Sequence, residues 1–387
     1  MKKARCNKIT LVLDDGGIFM RKVLSLVMVL ALTVAMATAC GKKNTGTPGA
    51  EGGNKTGYEL ALVTDVGTIN DKSFNQGSWE GLERYAKDND KSSKYYQPAE
   101  ATTASYIETI GLAVRGGAKL VVCPGYKFSE AVFDCQTTYP DVKFIILDSQ
   151  PSKVVDKETD YTIKDNVYAI YYAEEQAGYL AGYAAVMDGY TKLGFMGGMA
   201  LPPVVRFGYG FVQGAEQAAT ELGIDKIDMK YHYTGGFEAT PEALTTAASW
   251  YQSGTEVIFG CGGAVGNSVM AAAQDNNGKV IGVDVDQSSE SETVISSAMK
   301  LLDNSVYEGI KMFYDGNFPG GKIVTLDVTE KGVGLPMETS KFKTFSKEQY
   351  ETLYSKIVSG EYKPVGDKDV TSVKELNVTR VSITVVE

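Results

Sequence analysis

The sequence predicts an α/β protein that consists of two similar lobes, each with its own sheet. Three segments recur at a nearly constant separation of about 137 residues: FNQG (74–77) as FVQG (211–214), RGGAKLVVCPG (115–125) as QSGTEVIFGCG (252–262), and KFIILDSQ (143–150) as KVIGVDVDQ (279–287). The predicted strands are continuous apolar runs, as expected for parallel strands that helices cover on both faces. Strand and helix patterns alternate along the chain, which favours right-handed βαβ units.

The N-terminal segment predicts a secretion signal and a lipid anchor. In MRKVLSLVMVLALTVAMATAC (20–40), basic residues precede an apolar run that ends in small residues and Cys40. This order is similar to a bacterial lipobox, although Ala37 stands where leucine is more usual. We expect residues 1–39 to be a signal peptide and Cys40 to be lipidated. Residues 1–19 are expected to result from a start codon assigned upstream of the true one. An uncleaved membrane anchor is the alternative, but the apolar run is marginal in length for a membrane span.

Composition narrows the class of protein. Residues 40–57 are rich in Gly, Thr and Asn without apolar periodicity, which predicts a flexible linker between the lipid anchor and the folded part. A hydrophobic content of 43% is enough for a packed core, and the formal net charge of −10 argues against a nucleic-acid partner. The cysteine spacings match no metal site, and Cys123 and Cys261 lie in apolar runs, so we expect both to pack in the core.

Two long helical patterns and two short strands complete the chain. Residues 166–189 and 291–316 each predict one helix, and residues 323–328 and 379–387 predict strands. We therefore expect two Rossmann-like lobes with a hinge between them. The lobes are assigned as follows: the first is 58–165 plus about 299–318, and the second is 166–298 plus about 319–387.

The loop after the first strand contains several groups that suit a ligand. Asp65, Asp71, Phe74 and Asn75 follow that strand, and ligands of open α/β sheets bind beyond the carboxyl ends of strands. Such a loop is also compatible with a simple capped turn, in which Asp71 or Ser73 caps the helix that begins near Phe74. For Ser73 the capping role is favoured. For Asp71 helix capping and ligand binding both remain open. Phe74 stands in an otherwise polar loop, which favours the cleft over the core.

Equivalent strand ends in the two lobes supply further candidates. The repeat places Asp148 and Asp284 at matching positions, where carboxylates accept hydrogen bonds from hydroxyls such as those of a ribose. Lys300, predicted to lie in the helix after Asp284, either reaches the same hydroxyls or is a solvated surface charge. Phe207 offers a flat apolar face for stacking on a ring, with Phe211 as the alternative. Two loop-bearing edges that face each other form a cleft.

Catalytic and cofactor motifs are incomplete in this sequence. GCGGAVG (260–266) suggests a dinucleotide-binding loop with Asp284 as the ribose acid, but the motif requires glycine where Val265 stands. A dehydrogenase is therefore only a rival hypothesis. The single histidine, His232, has no Ser or Cys nucleophile in a matching pattern, and neither G-x-S-x-G nor H-E-x-x-H occurs. We predict no enzymatic activity, no cofactor and no metal.

The motif D-x-G-x-x-x-D-x-S-F-N, here Asp65 to Asn75, resembles the opening of the basic membrane protein (BMP, PnrA-like) family of lipoproteins. GFMGG, PPVVRFGYGFVQGA, IGVDVDQ and SSAMKLLDNSVYEG are also similar to that family, and the resemblance spans about residues 58–330. It implies a type I periplasmic-binding-protein fold. It also implies the substrate-binding lipoprotein of an ABC importer, with a purine nucleoside as the ligand.

The resemblance implies roles for single residues as well. The roles are these: Phe74 and Phe207 stack on the base, Asp148 contacts the base, Asp284 and Lys300 hold the ribose, Asp65 adds a polar contact, and Gly262 lies against the ligand. We expect the lobes of a monomer to close on the nucleoside and then to dock on ABC permease subunits. The alternative is a lipid-anchored receptor that feeds a membrane signalling protein. In both cases the protein is anchored on the extracytoplasmic face of the cell membrane.

Overall fold

The structure, a computed structural model, describes residues 57–65 and 67–386. The predicted signal peptide, the predicted lipidation site Cys40 and nearly all of the predicted linker lie outside the described residues. Within the part of the chain that is described, no helix is both long and apolar enough to cross a membrane.

Strands and helices alternate along most of the described chain, as the sequence predicts. The strands are β1 (Leu60–Val63), β2 (Ser93–Tyr96), β3 (Leu120–Pro124), β4 (Lys143–Leu147), β5 (Lys153–Val155), β6 (Glu158–Asp160), β7 (Val167–Tyr172), β8 (Lys192–Gly197), β9 (Ile227–Tyr233), β10 (Val257–Cys261), β11 (Lys279–Asp284), β12 (Val294–Lys300), β13 (Lys322–Leu326), β14 (Val333–Gly334) and β15 (Val381–Val385). The helices are α1 (Phe74–Asp88), α2 (Thr103–Arg115), α3 (Ser129–Thr138), α4 (Glu174–Met187), α5 (Pro202–Leu222), α6 (Pro241–Gln252), α7 (Val265–Asn276), α8 (Leu302–Tyr314) and α9 (Lys347–Val358).

Each lobe has a parallel or mostly parallel sheet at its centre. The first sheet runs β13-β7-β4-β3-β1-β2, and the second runs β14-β12-β11-β10-β8-β9-β15. The β12–β14 pair is antiparallel and the other pairs in these two sheets are parallel. The order β2-β1-β3-β4-β7 is the same as β9-β8-β10-β11-β12, so the repeat found in the sequence is confirmed as a repeat of topology. Strands β1, β3 and β10 are buried along their whole length, as parallel strands between helices should be.

Both long helical patterns are in fact a strand followed by a helix. Residues 166–189 form β7 and then α4, and residues 291–316 form β12 and then α8. These strands are covered on both faces, so their apolar residues do not alternate with polar ones and merge with the pattern of the next helix. The predicted helical position of Lys300 is therefore wrong, because Lys300 is the last residue of β12.

The sheets also divide the chain differently from the predicted lobes. Strands β7 and β13 pair with each other in the first sheet, whereas the predicted boundaries at 165 and 319 place both in the second lobe. The reason is the same buried, non-alternating pattern, which concealed β7 within a predicted helix. The chain crosses between the lobes after β7, after β12 and between β13 and β14.

Glycines bring helices α4 and α5 of the second lobe into close contact. Gly178 and Gly182 of α4 lie so near the backbone of α5 that an added Cβ would overlap a carbonyl oxygen. Gly210 and Gly214 of α5 lie against the backbone of α4 in the same way. This reciprocal contact fixes the N-terminal parts of both helices beside the cleft between the lobes.

Candidate functional site

A cavity of about 390 Å³ lies between the lobes, at the carboxyl edges of both sheets. The loops after β1, β3 and β4 form its wall in the first lobe, and the loops after β8, β9, β10 and β11 form its wall in the second. All nine residues that the sequence nominated as ligand-binding line this cavity. Its volume lies within the range of about 300–1,000 Å³ that is usual for small-molecule sites.

Asp71 caps helix α1 and also lines the cavity. Its carboxylate accepts hydrogen bonds from the backbone N–H groups of Ser73 at 2.9 Å, Asn75 at 2.9 Å and Gln76 at 3.1 Å. Ser73 makes no side-chain cap; its hydroxyl donates instead to Asp284 Oδ2 across the cleft at 2.5 Å. The expectation that Ser73 caps the helix is therefore wrong, because Asp71 already occupies the N–H groups. Burial raises the pKa of Asp71, and its hydrogen bonds oppose that rise.

Asn75 holds the loop in one conformation. Its side-chain amide donates to Asp65 Oδ1 at 2.9 Å and to Asp71 Oδ2 at 2.8 Å, and its oxygen accepts the backbone N–H of Asp65 at 3.2 Å. The backbone N–H of Gly67 also donates to Asp65 Oδ1 at 2.6 Å. An added Cβ at Gly67 would lie 2.7 Å from Asn75 Nδ2, so the loop requires glycine there. The two carboxylates are thus fixed at the cavity wall before any ligand arrives.

Lys300 lies at the centre of the cavity wall, among three carboxylates. Its Nζ is 2.5 Å from Asp148 Oδ2, 3.1 Å from Glu174 Oε1 and 3.9 Å from Asp284 Oδ1. Asp148 comes from the first lobe, whereas Asp284 and Lys300 come from the second, so this cluster spans the cleft. Asp148 lines the cavity, and among the described residues its buried Oδ1 has no hydrogen-bond partner. The acceptor capacity of that oxygen is therefore unused within the described part of the protein.

Burial and charge together set the protonation of this cluster. Burial raises the pKa of Asp148 to about 7; Lys300 opposes the rise and Glu174 adds to it. Burial acts in the same sense on Glu174, but Lys300 and Arg206 hold the pKa of that carboxyl below its usual value. Burial alone would lower the pKa of Lys300, but the surrounding carboxylates raise it above its usual value. Lys300 therefore stays an ammonium, while burial shifts the pKa of Asp148 above its usual value.

Aromatic rings stand on several sides of the cavity. Phe74 is half-buried, and the Lys300 ammonium lies 4.9 Å from the centre of its ring. Phe207 lines the cavity but is only 2% exposed, and it packs edge-on against Phe259 at 5.9 Å. Phe211 is fully buried and does not line the cavity, so the fold selects Phe207 from these two candidates.

The glycine-rich loop after β10 lies against a second loop that the sequence did not single out. An added Cβ at Gly262 would lie 2.7 Å from the backbone N of Gly198, which explains the need for glycine. The backbone N–H of Ala264 donates to the carbonyl of Phe237 at 2.9 Å, and Phe237 lines the cavity. Sequence reasoning missed Phe237 as a site residue, although an aromatic residue in a Gly- and Thr-rich loop is the same signal that marked Phe74. Tyr126, also in the wall, was not distinguished from the other tyrosines.

Comparison with known proteins gives one family and a consistent set of relatives. The family described as "ABC transporter substrate-binding protein PnrA-like" matches residues 58–366. The ABC transporter nucleoside-binding protein BmpA of Lactococcus lactis is 33% identical over 348 residues, which cover 84% of this chain and 94% of the relative. An uncharacterized lipoprotein of Pyrococcus abyssi is 30% identical over 312 residues, which cover 77% of this chain and 75% of the relative.

A solved structure agrees with the fold. The crystal structure of an ABC transporter solute-binding protein from Aeropyrum pernix superposes with a TM-score of 0.67 and 26% sequence identity. The match covers 82% of this chain and 95% of that one. The two-lobed α/β architecture is therefore that of the type I periplasmic binding proteins, as the sequence predicted.

Proposed function

Because this chain belongs to the PnrA-like family of ABC transporter substrate-binding proteins, we propose that it binds a purine nucleoside in the cleft. It is a binding protein and not an enzyme. The observation that carries the proposal is the position of Lys300 between Asp148 and Asp284 beside the ring of Phe74. A nucleoside needs such a set, with hydroxyl partners for its sugar and a flat apolar face for its base.

The polar groups of the cavity match the two halves of a nucleoside. Asp284 accepts hydrogen bonds from the ribose hydroxyls, and the Lys300 ammonium donates to them. The free Oδ1 of Asp148 accepts from an N–H group on the base. Phe74 stacks on the base from the first lobe and Phe207 contacts it from the second. Asp65 adds a polar contact, and Gly262 leaves room for the ligand against the loop after β10.

The charge of the cavity supports a ligand without phosphate. Five carboxylates line it: Asp65, Asp71, Asp148, Glu238 and Asp284. Among the described residues, Lys300 is the one basic side chain in the lining, and carboxylates already surround it. An additional phosphate would meet repulsion, and the lining residues that the structure describes offer no free cation to offset it. A neutral nucleoside avoids this cost.

Contacts between the lobes explain how ligand binding leads to closure. Ser73 donates to Asp284, and Gln287 Nε2 donates to the carbonyl of Lys72 at 2.6 Å, both across the cleft. A ligand that touches both lobes adds to these contacts only in the closed form, so it shifts the population towards closure. The closed protein then docks on permease subunits as a monomer. The family description names an ABC transporter, which favours delivery to a permease over a signalling receptor.

The proposal includes a lipid anchor at Cys40. A relative from Pyrococcus abyssi is named a lipoprotein, and the sequence before Cys40 is similar to a lipobox. The diacylglyceryl group would hold the binding domain on the extracytoplasmic face of the membrane, near its permease. Residues 41–57 would then act as the tether.

Calorimetric titration tests the ligand. Residues 41–387 are refolded after denaturation, to remove bound molecules, and are titrated with purine nucleosides, pyrimidine nucleosides and sugars. We expect saturable binding of a purine nucleoside. Asp284→Asn should abolish or strongly weaken it, whereas the matched Asp286→Asn should not, because Asp286 is outside the cavity lining and accepts from Thr339. A wild-type protein that binds no nucleoside would overturn the proposal.

A further inference from the structure

Lys300 lies at one end of a chain of alternating charges that leads away from the cavity. Glu174 Oε1 is 3.1 Å from Lys300 Nζ, and Glu174 Oε2 is 2.6 Å from Arg206 Nε. Arg206 Nη1 is 3.1 Å from Asp367 Oδ1. We propose that Glu174 and Arg206 are positioning residues that hold the Lys300 ammonium in its ligand-binding place before the lobes close. The inference rests on the proposed nucleoside site. It adds Glu174 and Arg206, which would act on the ligand only through Lys300.

The burial of these groups makes each depend on its neighbours. The side chain of Glu174 is fully buried, that of Lys300 is 2% exposed and that of Arg206 is 11% exposed. A buried charge is stable only when an opposite charge and hydrogen bonds replace water. Glu174 uses one oxygen for each cation, so a change of its rotamer would break its ion pair with at least one of them. The Lys300 side chain therefore has one place where its charge is compensated.

The row of alternating charges from Lys300 to Arg206 belongs to the second lobe. Glu174 opens α4, Arg206 is in α5, and Lys300 ends β12, whose sheet is the centre of that lobe. Asp148 is the one cluster member from the first lobe, so it leaves when the lobes separate. Lys300 then keeps Glu174 and Asp284 as partners. The ammonium is thus preorganised in the open protein, which reduces the ordering cost of binding.

The reciprocal glycine contact explains how this geometry is maintained. Gly178 and Gly210 allow α4 and α5 to approach each other just beyond Glu174 and Arg206. Helices at ordinary separation would place the two side chains further apart. Asp367, the last member of the row of charges, is the first residue after the family match, which ends at residue 366. The C-terminal segment therefore helps to fix Arg206.

Glu175 provides a matched control for Glu174. It is the next residue in the same helix turn, it is also mostly buried, and its Oε2 lies 3.9 Å from Arg206 Nε. It has no ion pair with Lys300. Burial, together with the charge of Glu174, raises the pKa of Glu175 to about 7. Glu174→Gln removes a buried acid that is also a partner of Lys300, whereas Glu175→Gln removes a buried acid that is not. Comparison of the two variants therefore isolates the effect of losing the Lys300 partner.

The experiment observes Lys300 directly, in the lipid-free mature chain. The ¹H–¹⁵N resonance of its ammonium group, identified by its loss in Lys300→Arg, is recorded without ligand in Glu174→Gln and Glu175→Gln. Nucleoside affinity is measured for the same variants. We expect Glu174→Gln to shift or broaden the resonance and to weaken binding by about tenfold or more. Glu175→Gln should leave both close to wild type.

Each outcome decides between positioning and simple structural support. Equal effects of the two variants, or an unchanged Lys300 resonance in Glu174→Gln, would overturn the inference. If Glu174→Gln does not fold, Asp367→Asn replaces it, with an expected loss of about two- to threefold in affinity and a smaller shift; no change in either would also overturn it. A shifted resonance in a protein that binds no nucleoside would refute the proposed function and leave the positioning role standing.

Discussion

Asp148 and Asp284 occupy equivalent places in the two lobes and share an unusual backbone conformation. Asp148 follows β4 with φ at 56°, and Asp284 ends β11 with φ at 67°. The left-handed region is uncommon for residues other than glycine, and aspartate is among those that tolerate it. The same turn at both strand ends places both carboxylates in the wall of one cavity, near one ammonium. The internal repeat therefore produces a pair of acids that face each other across the cleft.

Replacing Lys300 with methionine should destabilise the protein and abolish binding. Three buried carboxylates would lose their shared cation, and breaking a buried ion pair in this way costs about 3–5 kcal/mol. The folded-state pKa values of Asp148 and Asp284 would rise further, because Lys300 now opposes the effect of burial. A carboxyl whose pKa is higher in the folded state than in the unfolded state stabilises the fold at pH values below its unfolded-state pKa. This contribution is lost as the pH rises through its folded-state pKa. The destabilisation should therefore be larger at pH 8 than at pH 5.

Thermal unfolding at the two pH values checks this prediction. Lys311→Met is the control, because Lys311 forms a half-exposed pair with Asp315 and its replacement should leave stability nearly unchanged. Equal destabilisation by Lys300→Met at pH 5 and pH 8 would contradict the assigned charge balance.

The cavity should reject nucleotides. A nucleoside 5′-monophosphate places negative charge near several carboxylates, and at a few ångströms this repulsion amounts to about 3 kcal/mol, or roughly 100-fold in affinity. Competitive titration of the nucleoside with its monophosphate measures the ratio. Glu238→Gln should lower the ratio of nucleoside affinity to monophosphate affinity, since Glu238 lines the cavity and carries one of the charges. A monophosphate that binds as tightly as its nucleoside would show that the carboxylates do not face the sugar end.

The two stacking candidates should respond differently to truncation. Phe74→Ala should weaken nucleoside binding by about 1–3 kcal/mol, the usual value of one base–aromatic stack, with little loss of stability because the ring is half-buried. Phe207→Ala should lower stability by about 3–5 kcal/mol as well, because that ring is 2% exposed and packs on Phe259. Parallel melting curves and titrations separate the two effects. If Phe207→Ala proves as stable as wild type, its ring is not part of the core.

The repeat, the sheet edge and the main cavity-lining residues are predictable from the sequence because they follow from short-range patterns. Matching apolar runs end in Asp148 and Asp284, and the carboxyl edge of a parallel sheet is where such side chains meet. The strands β7 and β12 were not predictable, because a strand buried on both faces lacks the alternation that distinguishes it from a helix. The pattern therefore predicts a helical position for Lys300, which in the structure ends β12 and lines the cavity.

Glu174 was missed for a different reason. It is distant in sequence from its partners Lys300 and Arg206, and only the packing of α4 on α5 and β12 brings them together. A signal was nevertheless present. Glu174 and Glu175 begin a helix whose other residues are almost all apolar or small, and two acids on a buried helix require partners.

The contact between α4 and α5 should be intolerant of a single methyl group. Gly182→Ala would overlap the carbonyl of Phe211, and overpacking of this kind costs about 1–3 kcal/mol. Gly266→Ala is the matched control. It is also helical, and its nearest neighbours would be 3.8 Å or more from an added Cβ, so the gain in helix propensity should leave stability unchanged or slightly higher. Comparable melting temperatures for the two variants would contradict the close contact.

Glu175→Gln should stabilise the protein at alkaline pH only. Burial raises the pKa of Glu175 to about 7 from 4.5, and its buried Oε2 has no hydrogen-bond partner among the described residues. A carboxyl with a raised folded pKa contributes stability that is full below its unfolded value and is lost as pH rises through about 7. The neutral amide does not undergo this loss. At pH 5 the variant and the wild type should therefore unfold at similar temperatures, and at pH 8 the variant should be more stable by about 2–3 kcal/mol. A variant that is less stable than wild type at pH 8 would mean that the Glu175 carboxylate pairs with Arg206 strongly enough to outweigh its burial.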